Sequence, residues 1–307
     1  MRKALWMGIY PALLTPFKEN GDIDFDMFKK NLLAQLDAGV HGLVLAGSLG
    51  EASTLSTAEK YELLKFAKET VGDDYPVILN IAEQATSEAI AIAKQAEKIG
   101  ADGLMLLPPM RYKADARETV AYFKAVALNT SLPIMIYNNP VDYGIFVTLD
   151  MFAELAEVPN IQAVKESSRD LTNITRMINR FGDRFKILGG VDPISLESLM
   201  IGADGLVAGL VDAYPKETVA MYNCVKSGNY EEAVKIYRWF MPLLELDIHP
   251  KLVQYIKLAA TDEGISNEYV RGPRLPLEGE ERARILKVIA DGKANKPDVS
   301  ELLSLGE

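Results

Sequence analysis

The chain has 307 residues and a formal net charge of −10, with 49% apolar and 25% charged residues. That balance suits a folded protein with a sizeable core, while the negative charge disfavours nucleic acid and anionic membranes as partners. A mean hydropathy of +0.03 and the lack of a long uncharged run argue against a membrane span.

The start, Met1-Arg2-Lys3-Ala4-Leu5-Trp6, is basic but has only a short apolar run before Pro11, so it reads as mature protein, not as a secretory signal. Short β-branched apolar runs then alternate with longer amphipathic stretches. In chain order the predicted strands cover 8–14, 42–46, 77–81, 103–107, 134–137, 161–164, 185–188 and 205–208. Their near-continuous apolar character is what a sheet buried on both faces requires. Predicted helices lie between them at 25–38, 57–70, 87–99, 117–128, 149–157, 170–181 and 193–201. Ser56-Thr57-Ala58-Glu59 has the form of a capping box, and Ala101-Asp102-Gly103 and Ala203-Asp204-Gly205 repeat at helix-to-strand junctions.

Tandem strand–helix units mean parallel βαβ topology, and eight of them predict closure as a (β/α)₈ TIM barrel over residues 1–212. The competing doubly wound sheet carries a glycine-rich fingerprint after its first strand, where this chain has Thr15-Pro16-Phe17. From 213 to 307 the pattern is helical, at 216–227, 230–246, 251–262 and 280–290, and predicts a C-terminal helical extension packed on the barrel. The segment from Lys293 onward is expected to be loosely held. Cys224 is the single cysteine, which suits a reducing cytoplasm and rules out an intrachain disulfide. His41 and His249 lie far apart without acidic ligand spacing, so no metal is expected.

Active sites of such barrels form at the C-terminal ends of the strands, and this restricts the search. Lys165 follows the strand-like Ile161-Gln162-Ala163-Val164. It reads either as an ion pair with a carboxylate such as Glu166 or as a desolvated, nucleophilic amine. Tyr137 ends the preceding strand, as a rim residue or as a proton carrier near Lys165. Ser48 and Leu49 sit in a glycine-flanked turn that is either a tight connection or a cradle of backbone N–H groups for a carboxylate. Gly189-Gly190 is either a turn or a point of close ligand approach.

In order and spacing, Gly47-Ser48-Leu49-Gly50-Glu51, Tyr137-Asn138-Asn139-Pro140, Val164-Lys165-Glu166 and the Pro11–Pro16 run resemble the dihydrodipicolinate synthase / N-acetylneuraminate lyase family over nearly the whole chain. The resemblance implies a class I aldolase-type lyase with Lys165 as Schiff-base nucleophile, Tyr137 as proton carrier and Ser48 as relay. It further implies no external cofactor, a small 2-keto acid or cyclic imine as substrate, and a homotetramer. Leu49, Asn139, Asp142, Arg111, Gly190 and Val207 are the expected substrate-lining residues. Three departures bear on the substrate: Asp142 stands where the synthases have an arginine, Ser48-Leu49 replaces two threonines, and Arg111 replaces a relay tyrosine, with Tyr112 beside it. Met110-Arg111-Tyr112-Lys113-Ala114-Asp115, Arg238-Trp239-Phe240-Met241-Pro242-Leu243 and Arg271-Gly272-Pro273-Arg274-Leu275-Pro276-Leu277 are similar to the 1-pyrroline-4-hydroxy-2-carboxylate deaminase branch. That branch implies dehydration and deamination to 2-oxoglutarate semialdehyde. The alternatives are dihydrodipicolinate synthesis and 2-keto-3-deoxy sugar acid cleavage or dehydration within the family. Outside it stand a barrel gripping a phosphorylated substrate at the Gly189-Gly190 and Gly209 turns, and a barrel that only binds.

Overall fold

The computed structural model describes residues 5–83 and 85–306, so the first four residues of the N-terminal reading lie outside it. Eight parallel strands are present: β1 (Gly8–Pro11), β2 (Leu43–Leu45), β3 (Val77–Ile81), β4 (Gly103–Leu106), β5 (Ile134–Asn138), β6 (Ile161–Glu166), β7 (Lys186–Gly189) and β8 (Gly205–Ala208). Each pairs with the next from β2 to β8, and β8 pairs with β1. The ring closes between β1 and β2, where Leu13 N donates to Val44 O at 2.9 Å. The expected (β/α)₈ barrel is the observed one.

The predicted first strand, 8–14, is shorter in the structure. Ala12 N still bonds Ala208 O, but Leu13 N turns to Val44 O and Leu14 N to the Asp212 carboxylate. The chain thus leaves the β8 side for the β2 side as it exits the barrel. The repeated Ala-Asp-Gly junctions also have a cause beyond the glycine. Asp102 accepts the Val77 amide and Asp204 the Ile187 amide, so each aspartate ties the start of one strand to the start of its neighbour.

Alternation along the strands divides the apolar residues into two layers. One set, including Tyr10, Ile78, Met105, Met135, Ala163, Leu188 and Val207, fills the barrel interior. The other, including Ile9, Leu79, Leu104, Ile136 and Val164, packs outward against the helices. Helix starts follow the capping logic: Ser56 with Glu59, and Asp115 with Glu118, form reciprocal capping boxes. A short helix at Pro140–Tyr143, capped by Asn139, was not predicted. The predicted 193–201 helix is a 3-10 turn, Asp192–Ile194, followed by Ser195–Met200.

Helices Pro215–Lys226, Tyr230–Leu244, Leu252–Asp262 and Gly279–Ala294 follow the barrel, and Phe240, Leu243, Ile256 and Ile285 continue its outer apolar layer. Between the second and third of them a 3-10 turn, Glu245–Ile248, returns the chain to the mouth of the barrel. The expectation of a loosely held tail from Lys293 is corrected. Lys296 bridges Glu217 and Glu263, Asn223 donates to Leu302 O and Leu303 O, and Val299 is buried. Side-chain partners on the preceding helices dock that segment. Among the described residues no helix is long and apolar enough to cross a membrane.

Candidate active site

Alternation on β6 decides where Lys165 points. Ala163 faces the interior and Val164 the helices, so Lys165 returns to the interior and Glu166 faces out. Glu166 accepts from Asn138 Nδ2 at 3.0 Å, Asn173 Nδ2 at 2.8 Å and Ser168 N at 2.8 Å. The Lys165–Glu166 ion pair, one of the two readings of this lysine, is therefore ruled out by the pleat. The lysine lies within the strand and not just past its predicted end, because β6 runs on two residues through Glu166. It is buried, and desolvation pulls its pKa below the ordinary lysine value against the opposing fields of Asp247, Tyr143, Asp192 and Asp142.

Tyr137 is the register partner of Lys165 on β5, and the lysine Nζ lies 4.3 Å from the centre of its ring. Burial pushes the Tyr137 phenol up to about 12, although Asn139 Nδ2, donating to its oxygen at 3.1 Å, works the other way. The same amide donates to Asp142 Oδ2 at 2.7 Å, and Asn139 Oδ1 accepts from Asp142 N. Asn139 thus holds Tyr137 and Asp142 in place with the groups it had been expected to offer a substrate. Tyr143 meets the Tyr137 ring edge-on at 5.5 Å between centroids, and its hydroxyl is hydrogen-bonded to Ser48 Oγ. A chain of hydroxyls runs from the Ser48 turn toward the ring above Lys165.

The Ser48–Leu49 turn presents its backbone to this chain. Leu49 packs its side chain into the outer core yet borders the cleft, and among the described residues neither the Ser48 nor the Leu49 amide has a protein acceptor. The turn is anchored through Glu51, which is fully buried with a left-handed backbone, φ +57°. Its carboxylate meets Lys257 Nζ at 2.7 Å and accepts the Arg271 amide at 3.1 Å. On the opposite wall Gly190 is required by space, since a Cβ there would stand 2.2 Å from Ser167 Oγ and 2.6 Å from Lys165 Cε.

The structure brings Ser48, Leu49, Tyr137, Asn139, Asp142, Lys165, Gly190 and Val207 around one cleft. Arg111 is not in the inner cleft but is exposed on its wider outer part, which shares Ser48, Asp142, Tyr143, Arg169 and Asp247 with it. Among the lining residues that escaped the sequence reading are Tyr143, Arg169 and Asp247, and Asp192, outside the lining, is near enough for its field to reach Lys165. Tyr143 follows Asn139-Pro140, whose cap-and-proline signature could have announced a short helix carrying it back. Asp192 and Asp247 gave no comparable signal. Among the described residues no group of three or more His, Cys, Asp or Glu side chains is placed to hold a metal.

Comparison with known proteins places this geometry. The profile of the dihydrodipicolinate synthetase family matches residues 5–291. The chain belongs to that family. It is 34% identical over 278 residues to the 4-hydroxy-tetrahydrodipicolinate synthase of Methanospirillum hungatei, covering 89% of this chain and 94% of that protein. It is likewise 34% identical to an uncharacterized DapA-like lyase of Rhizobium meliloti, over 88% of this chain and 91% of the relative. The solved structure of the 4-hydroxy-tetrahydrodipicolinate synthase from Methylacidiphilum fumariolicum SolV superposes with a TM-score of 0.91 at 30% identity, covering 96% of this chain and 99% of that one. The family's barrel and the barrel seen here are the same architecture.

Proposed function

We propose that this member of the family is a lyase that forms a Schiff base on Lys165 with a small 2-keto acid or its cyclic imine. The observation carrying this reading is a desolvated amine beside a buried phenol, facing a turn with two unpartnered backbone N–H groups. The substrate carboxylate sits on the Ser48 and Leu49 amides, and the Lys165 amine attacks C2. Loss of water from the carbinolamine leaves an iminium that draws electrons from C3. Tyr137 carries protons to and from C2 and C3, with Tyr143 and Ser48 relaying them toward solvent. The lysine is its own electron sink, so no external cofactor enters the scheme.

Two substrates are favoured by different observations. The relatives are named 4-hydroxy-tetrahydrodipicolinate synthases, which supports synthase activity, so condensation of pyruvate with aspartate semialdehyde is the first reaction to assay. Asp142 and Asp247 offer carboxyl groups to the cleft as hydrogen-bonding partners for a substrate, with Arg169 as the cation on the same lining. That favours a distal hydroxyl or ammonium and supports 1-pyrroline-4-hydroxy-2-carboxylate, opened by transimination and then dehydrated and deaminated. By family likeness the working form is a homotetramer in the cytoplasm.

Borohydride reduction in the presence of pyruvate is expected to leave a mass adduct on the Lys165 peptide. Absence of an adduct with every 2-keto acid tried would sink the proposal. Turnover of a panel holding aspartate semialdehyde with pyruvate, the hydroxypyrroline carboxylate and 2-keto-3-deoxy sugar acids then decides the substrate.

A further inference from the structure

Asp247 belongs to no strand end. It arrives from the Glu245–Ile248 turn, after the helix Tyr230–Leu244, and still lines the same cleft as Lys165, Tyr137 and Asp142. Its carboxylate comes so close to the end of β8 that a Cβ on Gly209 would stand 2.3 Å from Asp247 Oδ1. Glycine at 209 is therefore what admits this side chain. Gly209 N and Leu210 N meanwhile donate to Asp192, at 3.2 and 2.7 Å, so the neighbouring carboxylate is already held by backbone. Asp142 is held by Asn139. Asp192 does not line the cleft, whereas Asp247 does, and among the described residues Asp247 accepts from the Asp192 backbone N–H and from no side-chain donor. Burial, and then the field of Asp192, raise its pKa well above the ordinary aspartate value, while Lys165 pulls the other way. A carboxyl kept toward its protonated form is a proton donor.

We infer that Asp247 is the acid that acts on the oxygen at C4 of the substrate. The inference rests on the Schiff-base reading and applies to either substrate. In condensation, the enamine C3 forms its bond to the aldehyde carbon, the carbonyl π pair moves to oxygen, and that oxygen takes the Asp247 proton. In dehydration, C3 gives its proton to the Tyr137 relay, the C4–O bond breaks, and its electron pair takes the Asp247 proton to leave as water. In both, the resulting carboxylate is reprotonated from solvent through the open side of the cleft. Pyruvate has no C4, so exchange of its methyl hydrogens with deuterated water reads Lys165 and Tyr137 without the proposed role of Asp247.

The test compares Asp247→Asn with the parent chain in two assays: pyruvate C3 exchange followed by NMR, and turnover of the C4-oxygen substrates named above. The expected result is a fall in kcat for the C4-oxygen substrate at least about 100-fold larger than any fall in exchange, the scale of a lost general acid. Gly209→Ala, which displaces the carboxylate without removing it, is expected to show the same asymmetry to a smaller degree. Equal losses in both assays would assign Asp247 to tuning Lys165 and overturn the inference. So would undiminished turnover in Asp247→Asn, or a Lys165 adduct with no turnover of any C4-oxygen substrate, both of which leave the Schiff base standing. Failure to trap any adduct removes the Schiff-base reading and this inference together.

Discussion

Two buried lysines sit on either side of the Ser48 turn, in surroundings of opposite kind. Lys257 is fully buried from solvent, but its ammonium meets the Glu51 carboxylate at 2.7 Å and donates to Tyr269 O. Lys165 is also buried, yet among the described residues it forms no ion pair, and its Nζ lies 4.3 Å from the centre of the Tyr137 ring. Desolvation pulls both pKa values down, that of Lys257 to about 8. The difference lies in geometry. Lys257 spends its charge on one carboxylate and so anchors a turn, whereas Lys165 faces an open cleft and several carboxylates at a distance. Burial alone therefore does not make a nucleophile; the nucleophilic role proposed for Lys165 needs burial without a bonded counter-charge, beside a space for the substrate.

Substitution can break that contrast at either end. Lys165→Arg keeps the charge but removes the proposed nucleophile, and is expected to abolish both borohydride trapping and turnover while the protein still folds. Tyr137→Phe leaves the ring over the amine and removes the proton carrier, so kcat is expected to fall by about 10²–10⁴ in steady-state assays. Lys257→Met strips Glu51 of its nearest cation and leaves it Arg274 Nη1 at 3.6 Å, so chemical denaturation is expected to show a loss of about 3 kcal/mol, the low end of the cost of breaking a buried pair. Gly190→Ala drives a Cβ into Lys165 Cε, and a misplacement of that order is expected to lower kcat/KM by about 100-fold with little change in melting temperature.

The smallest effect is the pH dependence. Because burial lowers the Lys165 pKa, the neutral amine is the form that gains as pH rises through that lowered value, and the ammonium below it does not attack. The pyruvate trapping rate is expected to rise with pH along a curve whose midpoint lies below the ordinary lysine value. A midpoint at or above that value would show that Lys165 is no better desolvated than a surface lysine.

Much of this was legible without coordinates. Near-continuous apolar runs separated by amphipathic stretches require a parallel sheet covered by helices, and the count of such units leads to a closed barrel. Lys165, Tyr137 and Ser48 each stood close to a strand end, which in that fold is enough to bring them near one another. Where the sequence reading fell short, the missing information was longer-range. Arg111 is adjacent to a strand end, yet its loop carries it to the wider outer part of the cleft. Tyr143 needed the Asn139 cap and the Pro140 helix start to swing it back over Tyr137.

By itself the order of residues along the chain determined the barrel and the strand ends at which chemistry can occur, because side-chain periodicity is a local property. Tertiary structure decided three further things. The pleat of β6 sent Glu166 outward and left Lys165 unpaired by it. Gly190 and Gly209 became necessary only because other side chains fill the space a Cβ would take. Asp247 entered the cleft because a turn between two C-terminal helices folds over the barrel mouth, and contact between parts of the chain so far apart leaves no periodic trace in the sequence.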